Sequence, residues 1–259
     1  MSNKTVNQNI VSSIIASITA ELLTIPICTT KTNYQTQIVN GLSIKDYCKN
    51  IYKTRGIKGF YNASIYASIS QTISQTSKYT IYEYVKKKRN SNTLLDNMIN
   101  SAASGCISSV LHHPFDYAKI NTQINNNTFD IIKKNGIFIT YTGYSKTLLR
   151  NICTSIVLPI NDQYKKIYLN NTNYFATNFA TNFNKDFINM FLGPFSASVT
   201  STFILYPLDF IRNRHMANKK LFLGFNILNY YRGMSLGLFR NVLHFVTFMS
   251  SVELIKKYY

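Results

Sequence analysis

Charged side chains are scarce in this sequence, and acidic side chains are the scarcest. Lys, Arg, Asp and Glu make up 15% of the 259 residues, whereas about a quarter is usual in soluble domains. The sequence has ten acidic and 28 basic residues, which gives a formal net charge of +18. Such an excess fits a solvated basic surface, a nucleic-acid binder, or a protein that sits among anionic lipids and moves anions. No DNA- or RNA-binding motif is visible, so we expect no nucleic acid partner.

The sequence also lacks the residue patterns that mark metal centres and enzyme sites. Its four cysteines are scattered, without metal-ligand spacing or a paired pattern, so we expect free thiols and no metal. There is no nucleotide-binding loop and no Ser-His-Asp order, and His112 and His113 are interpreted as polar residues that line a helix. We therefore expect neither an enzyme nor a cofactor. The N-terminus is too polar for a signal peptide and is not Arg-rich, so any organellar address should be internal.

A ten-residue signature occurs three times and starts at Pro26, Pro114 and Pro207. The prolines lie 88 and 93 residues apart (114 − 26 and 207 − 114). Each signature has an acid two places after the proline, except that Cys28 stands there in the first, then a base five places on and a polar or soft residue nine places on. These positions are Cys28, Lys31 and Gln35; Asp116, Lys119 and Gln123; and Asp209, Arg212 and Met216. An internal period of this kind determines the architecture.

The signature has a specific physical meaning. A proline inside a helix removes one hydrogen bond and kinks the helix. The acid and the base are three residues apart, so they share a helix face. Three such helices around one axis would gather their acids and bases at one end. Ionised groups at membrane depth are costly unless they are paired, and they usually have a function.

Long uncharged stretches indicate a membrane protein although the mean hydropathy is only −0.06. Phe187 to Leu208 contains no charged residue and is long enough to span a bilayer. Residues 59–77 and 97–115 also lack Lys, Arg, Asp and Glu but are rich in hydroxyls. A bundle of helices that each turn one face to a polar internal cavity would have this composition.

With three signatures at near-equal spacing, the chain resembles the mitochondrial carrier family over essentially its whole length. The resemblance implies an all-α membrane protein with six transmembrane helices in three pseudo-symmetric repeats around a central cavity. It implies one carrier domain over residues 1–259, with repeats at about 5–90, 94–170 and 184–259. It also implies a multi-pass monomer in the inner mitochondrial membrane, with cardiolipin as a lipid partner.

The second helix of each repeat is expected to follow an element that resembles the family's Gly-x-x-x-Leu-Tyr-x-Gly. The three elements end at Ala63, Gly143 and Gly233. We expect the first membrane helix over about 10–37 and the second helices over about 64–88, 144–169 and 234–257. A basic amphipathic surface helix is predicted within 40–58. The corresponding connections in repeats 2 and 3 are shorter.

The resemblance implies that the acid of one signature pairs with the base of the next. The expected pairs are Asp116 with Arg212 and Asp209 with Lys31, braced by Gln35 and Gln123. The third pair, Cys28 with Lys119, lacks its acid because a neutral thiol cannot offset an ammonium. We call this set, at the ends of the first helices of the repeats, the proline-helix gate.

A second acid-x-x-base set lies near the end of each second helix and resembles the family's gate at the opposite membrane face. Its members are Glu83, Lys86, Asp162, Lys165, Glu253 and Lys256. Ordinary surface pairs on a helix would give the same spacing. In the fourth membrane helix a gapless repeat would place Gln163 and Lys166 in these roles. We call this set the opposite gate.

The family's substrate site lies halfway along the cavity, and the resemblance places Ser70, Arg150 and Arg240 there. Gln71 and Asn151 are neighbours, and Lys78 adds a positive charge higher in the cavity. Arginine at membrane mid-depth is costly unless it meets an anion or a partner acid. Its fork suits phosphate and carboxylate oxygens. Pairing of each arginine with a neighbouring helix is the alternative. Glu21 could face the cavity or belong to the packing.

The leading hypothesis is a carrier that exchanges an anionic metabolite across the inner mitochondrial membrane by alternating access. The Arg-Asn pair at 150–151 resembles the same position in family members that carry carboxylic acids. The segment 212–216 loosely resembles the end of the signature of the adenine nucleotide carriers. Nucleotide and carboxylate therefore both remain open. The alternatives are a non-transporting membrane adaptor that kept the fold and a soluble basic binding protein.

Overall fold

The computed structural model describes residues 3–38, 42–89, 93–155 and 193–258, and within these ranges the chain is helical without a strand. The helices are α1 (Asn3–Thr36), α2 (Ile44–Arg55), α3 (Lys58–Tyr61), α4 (Ser64–Arg89), α5 (Leu94–Gln123), α6 (Thr128–Asn135), α7 (144–155), α8 (Gly193–Met216) and α9 (Met234–Tyr258). The expected all-α class is therefore confirmed. The second helices α4, α7 and α9 begin where the sequence predicted, and α1 begins earlier than expected.

The three signature prolines lie inside α1, α5 and α8, which we call the proline helices. In the described ranges, α4 packs against both α1 and α5, and α9 packs against both α1 and α8. Asn151 of α7 donates a hydrogen bond of 2.9 Å to the Gly105 carbonyl of α5. The first and last helices are thus in contact, and the helices surround a common interior.

Tyrosine side chains satisfy the carbonyls that two of the prolines leave without a helical partner. A proline has no N–H to donate to the carbonyl four residues earlier. For Pro114 that carbonyl belongs to Val110, and it accepts a 3.0 Å hydrogen bond from the Tyr141 hydroxyl. For Pro207 it belongs to Phe203, and it accepts one of 3.2 Å from the Tyr231 hydroxyl. In repeats 2 and 3, the tyrosine that precedes the second helix therefore supplies the hydrogen bond that the proline removes from the first helix of the same repeat.

The residue before each of these prolines adds a second contact within the same repeat. The Tyr206 hydroxyl donates to the Arg232 carbonyl at 3.1 Å. In the equivalent place, His113 Nε2 lies 3.2 Å from the Thr142 carbonyl oxygen. Both carbonyls precede a glycine with a left-handed backbone, Gly143 at φ +83° or Gly233 at φ +82°. Glycine adopts this conformation without steric cost, which explains the glycine of this element.

The C-terminal ends of the proline helices are joined in a closed ring, in which each helix bonds to the next. The residue seven places after each proline donates to the backbone carbonyl nine places after the proline of another repeat. Asn33 donates to Gln123 O at 2.9 Å, Asn121 to Met216 O at 3.0 Å, and Arg214 to Gln35 O at 2.8 Å. Carbonyls at helix ends lack intrahelical partners, so the ring satisfies them and ties the three repeats together.

The surface connections shorten along the chain, as the sequence predicted. In repeat 1, α2 has 12 residues and starts with a capping box between Ser43 and Asp46. The hydrogen bonds from Ser43 lower the pKa of the Asp46 carboxyl. In repeat 2, α6 has 8 residues. In repeat 3, the described residues 217–226 contain no helix. Repeat 3 therefore reaches its second helix without an amphipathic surface helix.

By length and hydropathy, one helix in the described ranges qualifies as a membrane span, and it covers Ile14–Thr36 of α1. α5 and α8 are also long enough to cross a bilayer. They carry several polar and charged residues on the faces that line the interior, and such residues lower the mean hydropathy. The expected six transmembrane helices in three repeats remain a prediction.

Candidate functional site

A polar cavity of about 400 Å³ lies between the helices. Its lining comes from both helices of each repeat and is mostly polar, and basic side chains outnumber acidic ones among its charged residues. The charged residues that line it are Lys31, Lys78, Lys119, Arg150, Arg212, Arg240, Asp116 and Asp209. All of these were assigned from the sequence to the proline-helix gate or to the substrate site.

The expected pair of Asp116 with Arg212 is present. Arg212 Nη2 donates to Asp116 Oδ2, and the Ser70 hydroxyl donates to Asp116 Oδ1. Arg212 Nε donates to the Thr147 hydroxyl at 2.9 Å. This ion pair joins α5 to α8 and receives a bond from α4, so Ser70 is part of the gate as well as of the cavity wall.

The expected pair of Asp209 with Lys31 is wrong, because Asp209 pairs with Arg150 instead. Arg150 Nε of α7 donates to Asp209 Oδ1 of α8. Lys31 Nζ lies 5.1 Å from the centre of the Tyr206 ring, a cation–π distance. Lys31 remains within the electrostatic field of Asp209. Arg150, on the second helix of repeat 2, thus takes the place at this carboxylate that was expected for Lys31.

Glu21, which the sequence left unassigned, supplies the acid that the first signature lacks. Its carboxylate is fully buried and accepts 2.6 Å bonds from Lys119 Nζ and from Arg240 Nη2. His244 Nδ1 lies 3.8 Å from the same carboxylate. The expectation that Lys119 lacks an acidic partner is therefore wrong. The acid is present but lies seven residues before Cys28, which is two helical turns or about 10 Å along α1.

The two arginines of the expected substrate site thus each have a carboxylate partner on a neighbouring helix, as the alternative reading of the sequence held. Gln71 and Lys78 line the cavity as expected. Asn151 also lines it, but its side-chain amide bonds to α5 and serves helix packing.

Gln35 and Gln123 connect the proline helices directly, so the expectation that they brace the ion pairs is wrong for the contacts described. Gln35 Nε2 donates to the Tyr206 hydroxyl at 2.7 Å, and its Oε1 accepts from Asn213 at 2.9 Å. Gln123 Oε1 accepts from the Thr32 hydroxyl at 2.7 Å. These bonds add to the closed ring at the helix ends.

The opposite gate lies mostly outside the described residues. Asp162 and Lys165, with their alternatives Gln163 and Lys166, fall in 156–192, and the side chains of Glu83, Glu253 and Lys256 are likewise outside the description. Lys86 is described, and its Nζ lies 5.9 Å from the centre of the Tyr82 ring. The pairing of this gate therefore stays a prediction.

Comparison with known proteins identifies the class. A family model for mitochondrial carrier proteins matches residues 2–93 and 90–172. A mitochondrial carrier-like protein of Acanthamoeba polyphaga mimivirus is 37% identical over 249 residues, which cover 96% of each chain. The mitochondrial ornithine transporter 1 of Schizosaccharomyces pombe is 22% identical over 90% of this chain and 86% of its own. The mitochondrial S-adenosylmethionine carrier protein of Mus musculus is 22% identical over 82% and 74%.

The chain belongs to the mitochondrial carrier family. Proteins of this family are solute carriers of mitochondria and not enzymes. Family membership confirms the resemblance drawn from the three signatures.

Proposed function

We propose that this protein is a carrier that exchanges an anionic metabolite, a nucleotide or a carboxylate, across the inner mitochondrial membrane by alternating access. In this proposal the chain forms one domain of three repeats with six membrane helices. It acts as a monomer, with cardiolipin bound at the membrane surface.

The observation that carries the proposal is the excess of positive charge in the cavity. Six basic side chains line it, against two carboxylates. Glu21, which pairs with Lys119 and Arg240, brings the acids to three. The balance is 6 − 3 = +3 among the described residues. Buried charges without partners are costly, so a cavity with this balance favours an anionic ligand that supplies the missing negative charge.

The closed ends of the proline helices support alternating access. The contacts that hold them include the side-chain-to-carbonyl ring formed by Asn33, Asn121 and Arg214, and the ion pair of Asp116 with Arg212. Alternating access requires that such a closure open while a second closure forms on the other side of the site. We assign that second closure to the opposite gate.

The proposal is tested by ligand binding followed by uptake. Purified protein in detergent is heated with ATP, citrate, inorganic phosphate or a cationic amino acid, and a ligand of the folded state raises the melting temperature. We expect at least one anion, and not the cation, to do so. Uptake of that anion into protein-loaded liposomes then separates a carrier from a non-transporting adaptor. A larger shift with the cationic amino acid than with any anion would refute the anion assignment.

The opposite gate gives a separate prediction. In the family's pairing, Glu253 meets Lys86 across two repeats. Replacing Lys86 by Glu, or Glu253 by Lys, should reduce exchange because like charges then face each other. The double variant Lys86→Glu/Glu253→Lys should recover most of the exchange measured in liposomes. Additive losses in the double variant would mean that these residues form ordinary surface contacts.

A further inference from the structure

Glu21 has an unusual position for the acid of a gate. It is fully buried in α1 and contacts the base of the second signature, Lys119, and the cavity arginine of α9, Arg240, with one oxygen for each. It thereby links α1, α5 and α9. A carboxylate at Cys28, the position expected from the signature, would lie two turns nearer the closed helix ends. The carboxylate therefore acts at the depth of the substrate site as well as at the gate.

The groups around Glu21 form an anion-binding site, and the Glu21 carboxylate itself occupies it. The charged and titratable groups that face it are Lys119 from α5 and Arg240 and His244 from α9. Cys28 of α1 lies next to Lys119 and Arg240. Arg240 Nε is buried without a hydrogen-bond partner among the described residues. Lys119 and Arg240 together offer two positive charges, and the only acid that they contact in the described structure is Glu21.

We propose that Glu21 is a built-in counter-anion, held between Lys119 and Arg240, which an anionic substrate must displace from Arg240 in order to bind. The inference rests on the proposed function. Because Glu21 belongs to the same chain, its contact with Arg240 is intramolecular, so a ligand with a single weak contact competes poorly. An anion with two charges can bind Arg240 in place of Glu21 and also contact Lys78 or Lys31, which line the same cavity. The second contact compensates for the lost bond between Glu21 and Arg240. Glu21 thus selects multiply charged anions.

The test removes the carboxylate that binds Arg240 without changing the net charge of the cavity and its surroundings. Glu21→Gln alone would leave two buried cations without an acid, and this variant risks unfolding. The double variant Glu21→Gln/Lys119→Gln removes one acid and one base, so the net charge equals that of the parent. Thermal shift is measured for both proteins with ATP, citrate, inorganic phosphate and acetate over a range of concentrations. The triple variant with Arg240→Gln is the matched control.

In the double variant, the concentration of anion that gives half of the maximal shift should fall about tenfold, because the binding-competent arginine is no longer occupied. Acetate, with one charge, should gain a measurable shift, and the triple variant should lose both gains. If the parent responds to an anion and the double variant needs the same or a higher concentration, the counter-anion role is refuted while the proposed function stands. Persistence of the gains in the triple variant also refutes it. If no anion shifts either protein, the proposed function itself fails.

Discussion

Replacing Asp116 by Asn should cost about 3 kcal/mol of folding stability and stop transport, since removal of one partner leaves the other charge buried and unpaired. Asp116 accepts from Arg212 and from Ser70 and thereby joins three helices. In the variant, the Arg212 guanidinium keeps the Thr147 hydroxyl but loses its carboxylate. The measurements are the melting temperature in detergent and exchange in liposomes.

An exposed aspartate provides the matched control for this change. Asp130 lies in the first turn of α6 at the surface, so Asp130→Asn removes only a favourable interaction with the helix dipole. This interaction is worth about 0.3–1 kcal/mol. We expect the melting temperature of Asp130→Asn to stay close to that of the parent and exchange to continue. Equal effects of the two substitutions would show that the pair of Asp116 with Arg212 does not close the gate.

Replacing Arg150 by Ala should reduce anion exchange by about 100-fold, because truncating one member of a buried charged contact costs about 2–5 kcal/mol. Stability should change much less. Lys31 lies in the field of Asp209 and has only the Tyr206 ring as a described partner. Its ammonium is therefore available to move to Asp209 when the arginine is removed. Uptake and melting temperature are measured on the same preparation.

The replacement by Lys31 has its own test. In an Arg150→Ala background, Lys31→Ala leaves only Arg212, which is already paired with Asp116, in the field of Asp209. The melting temperature of the double variant should fall by more than the sum of the two single changes, because the two bases share one acid. Simple additivity would mean that Lys31 does not take the place of Arg150. Exchange by Arg150→Ala at the parent rate would remove Arg150 from the substrate site.

The signatures predicted the features that depend on spacing along a helix. They placed the prolines inside α1, α5 and α8 and put the acid and the base of each signature on one helix face, because residues three apart share a face. The pair of Asp116 with Arg212 came from the family resemblance and not from the spacing. The starts of the second helices followed from the Tyr-x-Gly element, whose glycines have a left-handed backbone in the structure. The proline positions and the helix starts depend on a few neighbouring residues and are therefore readable from sequence.

The partner choices at the gate depend on distances across the cavity, and spacing does not contain them. Asp209 has Arg150, Lys31 and Arg212 within its field, and the resemblance names only the lysine as its partner. Glu21 lies outside the signature, in a segment otherwise free of acids. The one available signal was that a lone carboxylate in an apolar helix is costly, which indicates that Glu21 has a basic partner. It did not indicate that the partners would be Lys119 and Arg240.

The polar contacts described for the proline helices divide into two kinds, which serve different purposes. Tyr141 and Tyr231 repair the proline-containing backbone from within their own repeats. The bonds from Asn33, Asn121 and Arg214 all cross from one repeat to another. Opening of the proline-helix gate, as proposed above, would break only bonds of the second kind, and α5 and α8 would keep the tyrosine bonds to their backbones. In the proposed cycle, repeats 2 and 3 would therefore move as rigid units, because the bonds that stabilise each backbone are separate from the bonds that join neighbouring repeats.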